Sequence, residues 1–397
     1  MPQELRHNQY SDSRRLTLSS VVVILIFFLV TSQIFILPLP EIATQVFRPI
    51  MIVMILIHMM RNGFIRSAPR TLAFLVAIHA SLALLYHAEL WTHDNILEGA
   101  AVVLFFAMFA FAVGAAWTRK ELKYIIAASF LGCFVCAVAL LISNDPTDLN
   151  AATAGHLDLA GYSVNRNKNA YQYAFGTVLG LIYLLYGKKN KKFIVFLMTA
   201  VIAYALLYSQ CRGAFFSAVG GFSVMLISKL LEIRRLKGNG RALLYTLIMI
   251  AVYVAAYYLL KNSELNRLID AESTSGRDEG MKAAWQLFLN SSMFGKLFGN
   301  GFGYESQQTQ QIGAHIIYLG YLVSMGLIGS GLTALMFFAS YHRVFGSAAY
   351  ALVTTAFMKT LFEGADYNVF IPLIIGITIC NYTRMTGRNY HELFSKI

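Results

Sequence analysis

At 397 residues the chain is 57% hydrophobic and only 13% charged, with a mean hydropathy of +0.58. A soluble domain carries about a quarter charged residues, so that balance excludes an ordinary soluble protein. The formal net charge of +12 would suit a nucleic-acid partner, but repeated apolar runs assign it to the Lys/Arg bias of cytoplasmic loops, and no nucleic acid is expected.

Apolar runs near twenty residues are what a bilayer core of about 30 Å asks of a helix. The alternating ten-residue segments of an outer-membrane barrel are absent. The expected fold class is an all-α polytopic membrane protein, because backbone polar groups in lipid must be satisfied within each span. Residues 1–15 are polar, with Arg6, Arg14 and Arg15, and form a tail. The apolar run from Leu16 is too long for a signal-peptide core and lacks a clear small-residue cleavage site, so no cleavable signal is expected. Spans are predicted at 16–38, 41–60, 71–90, 98–117, 125–143, 170–187, 193–210, 213–231, 242–260, 315–341, 346–362 and 368–383. That makes about twelve transmembrane helices in a domain covering 16–383, with a second tail at 384–397. Four cysteines occur, Cys133, Cys136, Cys211 and Cys380. Cys133 and Cys136 form a CxxC inside an apolar span with no second pair, and read as small buried hydrophobes.

Placing the N-terminus inside puts Arg61, Arg66, Arg70, Arg119, Lys120, Lys123, the Lys188–Lys192 cluster, the 229–241 cluster, Arg343 and the C-terminal cations on one side. These are most of the basic residues, so both termini are expected in the cytoplasm. The loops at about 144–169 and 261–313 then face outward. A basic residue there works against the bias and needs another reason. Arg212 is the clearest case, in a very short turn, Ser209-Gln210-Cys211-Arg212-Gly213-Ala214. A charge at that depth is costly unless paired or solvated, although it could also snorkel to lipid phosphates. The 144–169 loop offers Arg166 among carboxamides and tyrosines, groups that suit hydroxyl-rich ligands. An ordinary polar loop has the same composition.

The larger loop carries Ser275-Gly276-Arg277. An amphipathic helix follows over Gly280–Leu289, with Met281, Ala284, Trp285 and Phe288 on one stripe. Glycines 295, 299, 301 and 303 then make a tight turn. The GK[ST] ending of a phosphate-binding loop is missing, so the glycines alone imply no nucleotide. His315 opens the next span.

Taken in order, Ser209–Ala214, Ser275-Gly276-Arg277 with Trp285, Phe298-Gly299-Asn300-Gly301-Phe302-Gly303, and His315-Ile316-Ile317-Tyr318-Leu319 leading to Gly326-Leu327-Ile328-Gly329 resemble the O-antigen ligase/polymerase family, integral membrane glycosyltransferases of the bacterial envelope. The motifs cover about residues 205–330. Ile316 stands where the family usually has a polar residue, Phe216 where ligases commonly have Leu, and the Arg277–His315 loop is shorter than in several ligases.

The resemblance implies a donor glycan on undecaprenyl diphosphate, used at the periplasmic face of the bacterial inner membrane, and an acceptor that is either lipid A–core (ligase) or another lipid-linked glycan (polymerase). The leaving diphosphate needs fixed cations, for which Arg212 and Arg277 are the candidates, with Lys282 assisting or facing water. The acceptor hydroxyl must lose a proton, and His315 is the candidate base or orienting group. Glu363, Asp366 and Arg166 are supporting candidates, the two carboxylates as reserve bases or as ion-pair partners of the arginines. No DxD-like motif stands out in the outward loops, so no metal and no cofactor is expected; membrane lipids are the remaining partner. A polar-lipid transporter or flippase is the rival of another class, set back by the lack of self-similarity between halves.

Overall fold

The computed structural model describes residues 16–33, 38, 41–144, 156–230, 247, 277–309, 317–362, 367–387 and 393–394. They are mostly helical. In chain order the elements are α1 (Leu18–Ser32), α2 (Glu41–Asn62), α3 (Ala68–Tyr86), α4 (His93–Gly114) and α5 (Arg119–Ser143), then strands β1 (His156–Leu159) and β2 (Tyr162–Asn165). There follow α6 (Arg166–Tyr186), α7 (Lys192–Tyr208), α8 (Arg212–Leu230), α9 (Arg277–Asn290), α10 (Met293–Phe298), α11 (Tyr304–Thr309), α12 (Ile317–Arg343), α13 (Ser347–Phe362) and α14 (Tyr367–Thr386). Helices stand at the predicted spans, except that 242–260 lies, Leu247 apart, outside the described residues. Five described helices are long and apolar enough to cross a bilayer. The chain is an α-helical membrane protein.

Local sequence sets the helix ends. Thr17, Ser67 and Thr92 cap α1, α3 and α4 by accepting a hydrogen bond from the backbone N–H three residues on, which satisfies one of the donors a helix start leaves open. The first helix stops at Ser32 instead of running to residue 38, because Gln33 takes a left-handed turn (φ 57°) and returns its N–H to Leu29 O. At the start of α5, Thr118 and Glu121 form a reciprocal capping box.

Two features depart from the sequence reading. The loop expected at 144–169 contains the antiparallel hairpin β1–β2, with Leu159 opposite Tyr162 across Ala160-Gly161. Both turn residues have positive φ (50° and 84°), the combination that matches the twist of the flanking strands. Leu157, Leu159 and Val164 are buried on one face of it. The span expected from 170 also begins four residues early, so Arg166 opens a helix and does not lie in a loop.

Small residues let the helices approach closely, as is usual where lipid replaces the hydrophobic driving force. A Cβ on Gly132 of α5 would fall 2.0 Å from Thr31 Oγ1 and 2.8 Å from Phe28 O of α1. Gly180 faces Thr199 across α6 and α7, and Gly221 of α8 faces Thr355 and Ala351 O of α13. Contacts at residues 220–221 against 351–358 run antiparallel, so the start of α8 lies beside the end of α13. All four cysteines are free and buried.

Candidate functional site

The glycine-rich segment finds its use in a break in α12. At Gly326 the helix has φ 67° and ψ −169°, far from helical values. In an uninterrupted helix the carbonyls of Val323 and Ser324 accept from the amides four residues on. Here Val323 O accepts from Asn300 N (2.9 Å) and Ser324 O from Gly301 N (3.1 Å). Met325 O lies 2.8 Å from His79 Nε2, which fixes the tautomer with hydrogen on Nε2. Carbonyls freed within an apolar bundle must find partners, and the segment after α10 together with one histidine supplies them. The positive φ values of Gly299, Gly301 and Gly303 shape that segment; a Cβ at 299 would lie 2.1 Å from Ser324 O. Gly329 clears the space that His79 fills, its Cβ position being 2.7 Å from the imidazole.

The same segment is tied to the ends of α3 and α4. Phe302 is buried against Gly99 and Leu84, and Gly303 abuts Asn95. His87 lies 3.2 Å from Gly299 O through Nε2 and 3.0 Å from Glu89 through Nδ1. The Glu89 carboxyl is held below the usual range by its own backbone N–H and by His87. The expected amphipathic helix is α9, three residues longer at its start. Ala284 and Phe288 pack on Val323, while Trp285 is half exposed and only stacks on Phe288 at 5.6 Å. Trp285 therefore does not belong to the buried stripe, because α9 touches α12 along one narrow face.

This end of the bundle also carries the candidate cations. Arg212 is the first residue of α8, partly buried, next to Gln210 in a left-handed turn. Arg277 and Arg166 open α9 and α6, but their side chains lie outside the described residues. A cation at a helix start opposes the macrodipole by about 0.3–1 kcal/mol, a cost an anionic ligand would relieve. Arg119 and Lys192 hold the same position at the other end, so placement alone does not single out the site. Lys282 is exposed on α9. His315, Glu363 and Asp366 lie outside the described residues. Three residues after His315, Tyr318 of α12 shares a 3.2 Å hydrogen bond with Thr360 of α13.

Two cations escaped the sequence reading. Lys359, beside Thr360 on α13, is only 1% exposed, with its ammonium 4.5 Å from the ring centre of Tyr171 on α6. Arg48 of α2 lies 4.2 Å over the Phe105 ring. Phe105 stacks on Phe370, which meets Phe106, which in turn meets Tyr321. The signal was available: each is a basic residue inside an apolar run, where ionisable groups face a bundle interior or a wet cavity. The arrangement thus gathers Arg212, Lys359, Tyr171, Tyr318 and Thr360 where α6, α8 and α12 begin and α13 ends. Chemically it is an end of the bundle that carries two cations with hydroxyl groups beside them.

No known protein family, curated protein or solved structure matches this chain.

Proposed function

We propose that the protein is a membrane-embedded glycosyltransferase of the O-antigen ligase type, moving a glycan from undecaprenyl diphosphate to a sugar hydroxyl of lipid A–core. In this reading about twelve spans cross the bacterial inner membrane, both termini are cytoplasmic, and the end bearing Arg212 faces the periplasm. The observation that carries the proposal is the company Arg212 keeps. A second cation, Lys359, is buried in the same end of the bundle, and the Tyr318–Thr360 pair lies a few residues from His315.

The chemistry follows from these groups. The acceptor oxygen attacks the anomeric carbon, the bond from that carbon to the diphosphate oxygen breaks, and the lipid diphosphate leaves with the electron pair. Arg212, Arg277 and Lys359 stabilise its negative charge in a partly dry site, where fixed cations act strongly. His315 takes the hydroxyl proton. Lys282, being exposed, adds little.

The polymerase reading shares this donor chemistry and differs only in the acceptor. The transporter reading draws on one feature, the break in α12, since broken helices line many transport sites. There the free backbone carbonyls bind the ion; here those of Val323, Ser324 and Met325 are already hydrogen-bonded to Asn300, Gly301 and His79. The structural account therefore favours transfer over transport.

The test is a gene deletion complemented by wild type or His315→Ala, with lipopolysaccharide and lipid-linked glycan examined side by side. Bare core with long polymer left on undecaprenyl diphosphate supports the ligase. Core bearing a single repeat unit supports the polymerase. An unchanged profile in both fractions refutes the transferase reading for these glycans.

A further inference from the structure

At the opposite end of the bundle, where α6 ends and α7 begins, a cavity of about 240 Å³ opens between α5, α6 and α7. Its walls are apolar, formed by Ala127, Leu131, Val195 and Met198 among others, and Lys188, Lys191 and Lys192 stand at its mouth. Among the described residues, no carboxylate lines it. Lys188 and Lys191 are exposed and Lys192 is partly buried, on the turn joining the two helices. Deeper in, Tyr183 is 6% exposed, and its buried hydroxyl has no hydrogen-bond partner among the described residues. The Tyr183 ring is wedged between Phe130 (5.5 Å) and Phe394 (5.3 Å), so the phenol is fixed in place.

We propose that this cavity binds an anionic phospholipid, with the headgroup phosphate on Lys188, Lys191 and Lys192, an ester carbonyl on the Tyr183 hydroxyl, and a stretch of acyl chain along Leu131 and Met198. Each part of the ligand answers a separate observation. Three clustered cations favour a negative headgroup, and lysines near a membrane surface draw anionic lipid strongly. A buried polar atom without a partner is uncommon and calls for one. Tyr183 lies five residues before Lys188, about 7 Å down the helix axis, the depth at which glycerol esters follow a phosphate. An apolar cavity of about 150 Å³ takes a benzene ring, so this one accommodates part of a chain while the rest lies against α7, whose Phe193, Phe196 and Leu197 are exposed. A free phosphate would satisfy the lysines and leave both the walls and the deep hydroxyl unused. The proposal is independent of the transfer reaction at the other end.

The test uses the purified full-length protein in mild detergent. Phosphatidylglycerol and phosphatidylcholine are added in equal amounts, and lipid retained on the intact protein is counted by native mass spectrometry. The expected result is retention of phosphatidylglycerol at least about tenfold over phosphatidylcholine, with the preference lost in the Lys188→Ala/Lys191→Ala/Lys192→Ala variant. Tyr183→Phe, which removes only the hydroxyl, weakens retention. Leu131→Trp fills the cavity from a lipid-exposed position and displaces the lipid. Equal retention of both lipids by the wild type, or undiminished preference in the triple-lysine variant, overturns the proposal. So does displacement of phosphatidylglycerol by millimolar inorganic phosphate together with normal retention in Leu131→Trp, which would mark a site for the free anion.

Discussion

Substituting Gly326 with alanine tests the claim that the glycine-rich segment exists to complete α12. The left-handed φ of 67° costs a residue with a Cβ about 1–2 kcal/mol. The new methyl would lie 2.5 Å from both Gly299 N and Leu297 O. These are backbone atoms, so the segment has to withdraw. Withdrawal strands the carbonyls of Val323 and Ser324, and each buried group left unsatisfied costs about 1–3 kcal/mol. Together the terms come to about 3–8 kcal/mol. Gly331 lies five residues further along the same helix, and nothing stands within 4 Å of its Cβ position. Gly331→Ala should be neutral or slightly stabilising, since alanine is favoured over glycine in a helix by about 1 kcal/mol. The assay is hydrogen exchange read by mass spectrometry on the 297–303 segment, with apparent melting temperature alongside. Gly326→Ala should lose the protection of the Asn300 and Gly301 amides and melt well below wild type, while Gly331→Ala keeps both. Equal protection and equal melting in the two variants would refute the reasoning.

Three other expectations use different parts of the molecule. Glu121 accepts hydrogen bonds from Thr118 N and Oγ1 (2.8 Å each) and from Ser20 Oγ of α1, with His58 Nδ1 3.5 Å away. Glu121→Ala should therefore destabilise by about 2–4 kcal/mol, and a melting temperature equal to wild type would remove this cluster from the account. Gly132→Val overpacks the α1–α5 contact and should destabilise by about 1–3 kcal/mol; thermal unfolding in detergent checks it, and tolerance would show that α1 can shift away. Lys359→Met keeps much of the buried volume, and its melting temperature, measured beside transfer, separates loss of the charge from loss of the fold. Glycan transfer should fall by at least about tenfold if Lys359 contacts the donor, whereas Lys282→Ala should change it less than twofold, on the order of an exposed charge.

The helical plan was open to reading because apolar length acts over whole segments. Most errors were local. The hairpin at 156–165 was hidden by its brevity, although Ala160-Gly161 between Leu157/Leu159 and Tyr162/Val164 is a turn flanked by alternating residues. Gly326 and Gly329 were visible only as a motif. Their physical purpose, to turn the chain and to admit His79, depends on a contact with a helix some 250 residues earlier that no spacing reveals. Arg212 stood out because a basic residue in a short turn that is expected to face outward works against a topological rule. Lys359 and Arg48 break the same rule from inside a helix, where tallying loops does not look. The glycines at 299, 301 and 303 were expected to make a tight turn, and they do, in a segment that cradles the protein's own backbone at Val323 and Ser324.

The central claim is that Arg212 and its neighbours serve glycan transfer from a lipid diphosphate. The most direct measurement is transfer by the purified full-length protein in lipid nanodiscs, given undecaprenyl-diphosphate-linked glycan and lipid A–core in the presence of EDTA. The account predicts glycan on the acceptor with equimolar release of undecaprenyl diphosphate, and loss of both products in Arg212→Ala while its melting temperature stays near wild type. Transfer at the wild-type rate by Arg212→Ala, or no product from a well-folded wild type with either acceptor class, would contradict it.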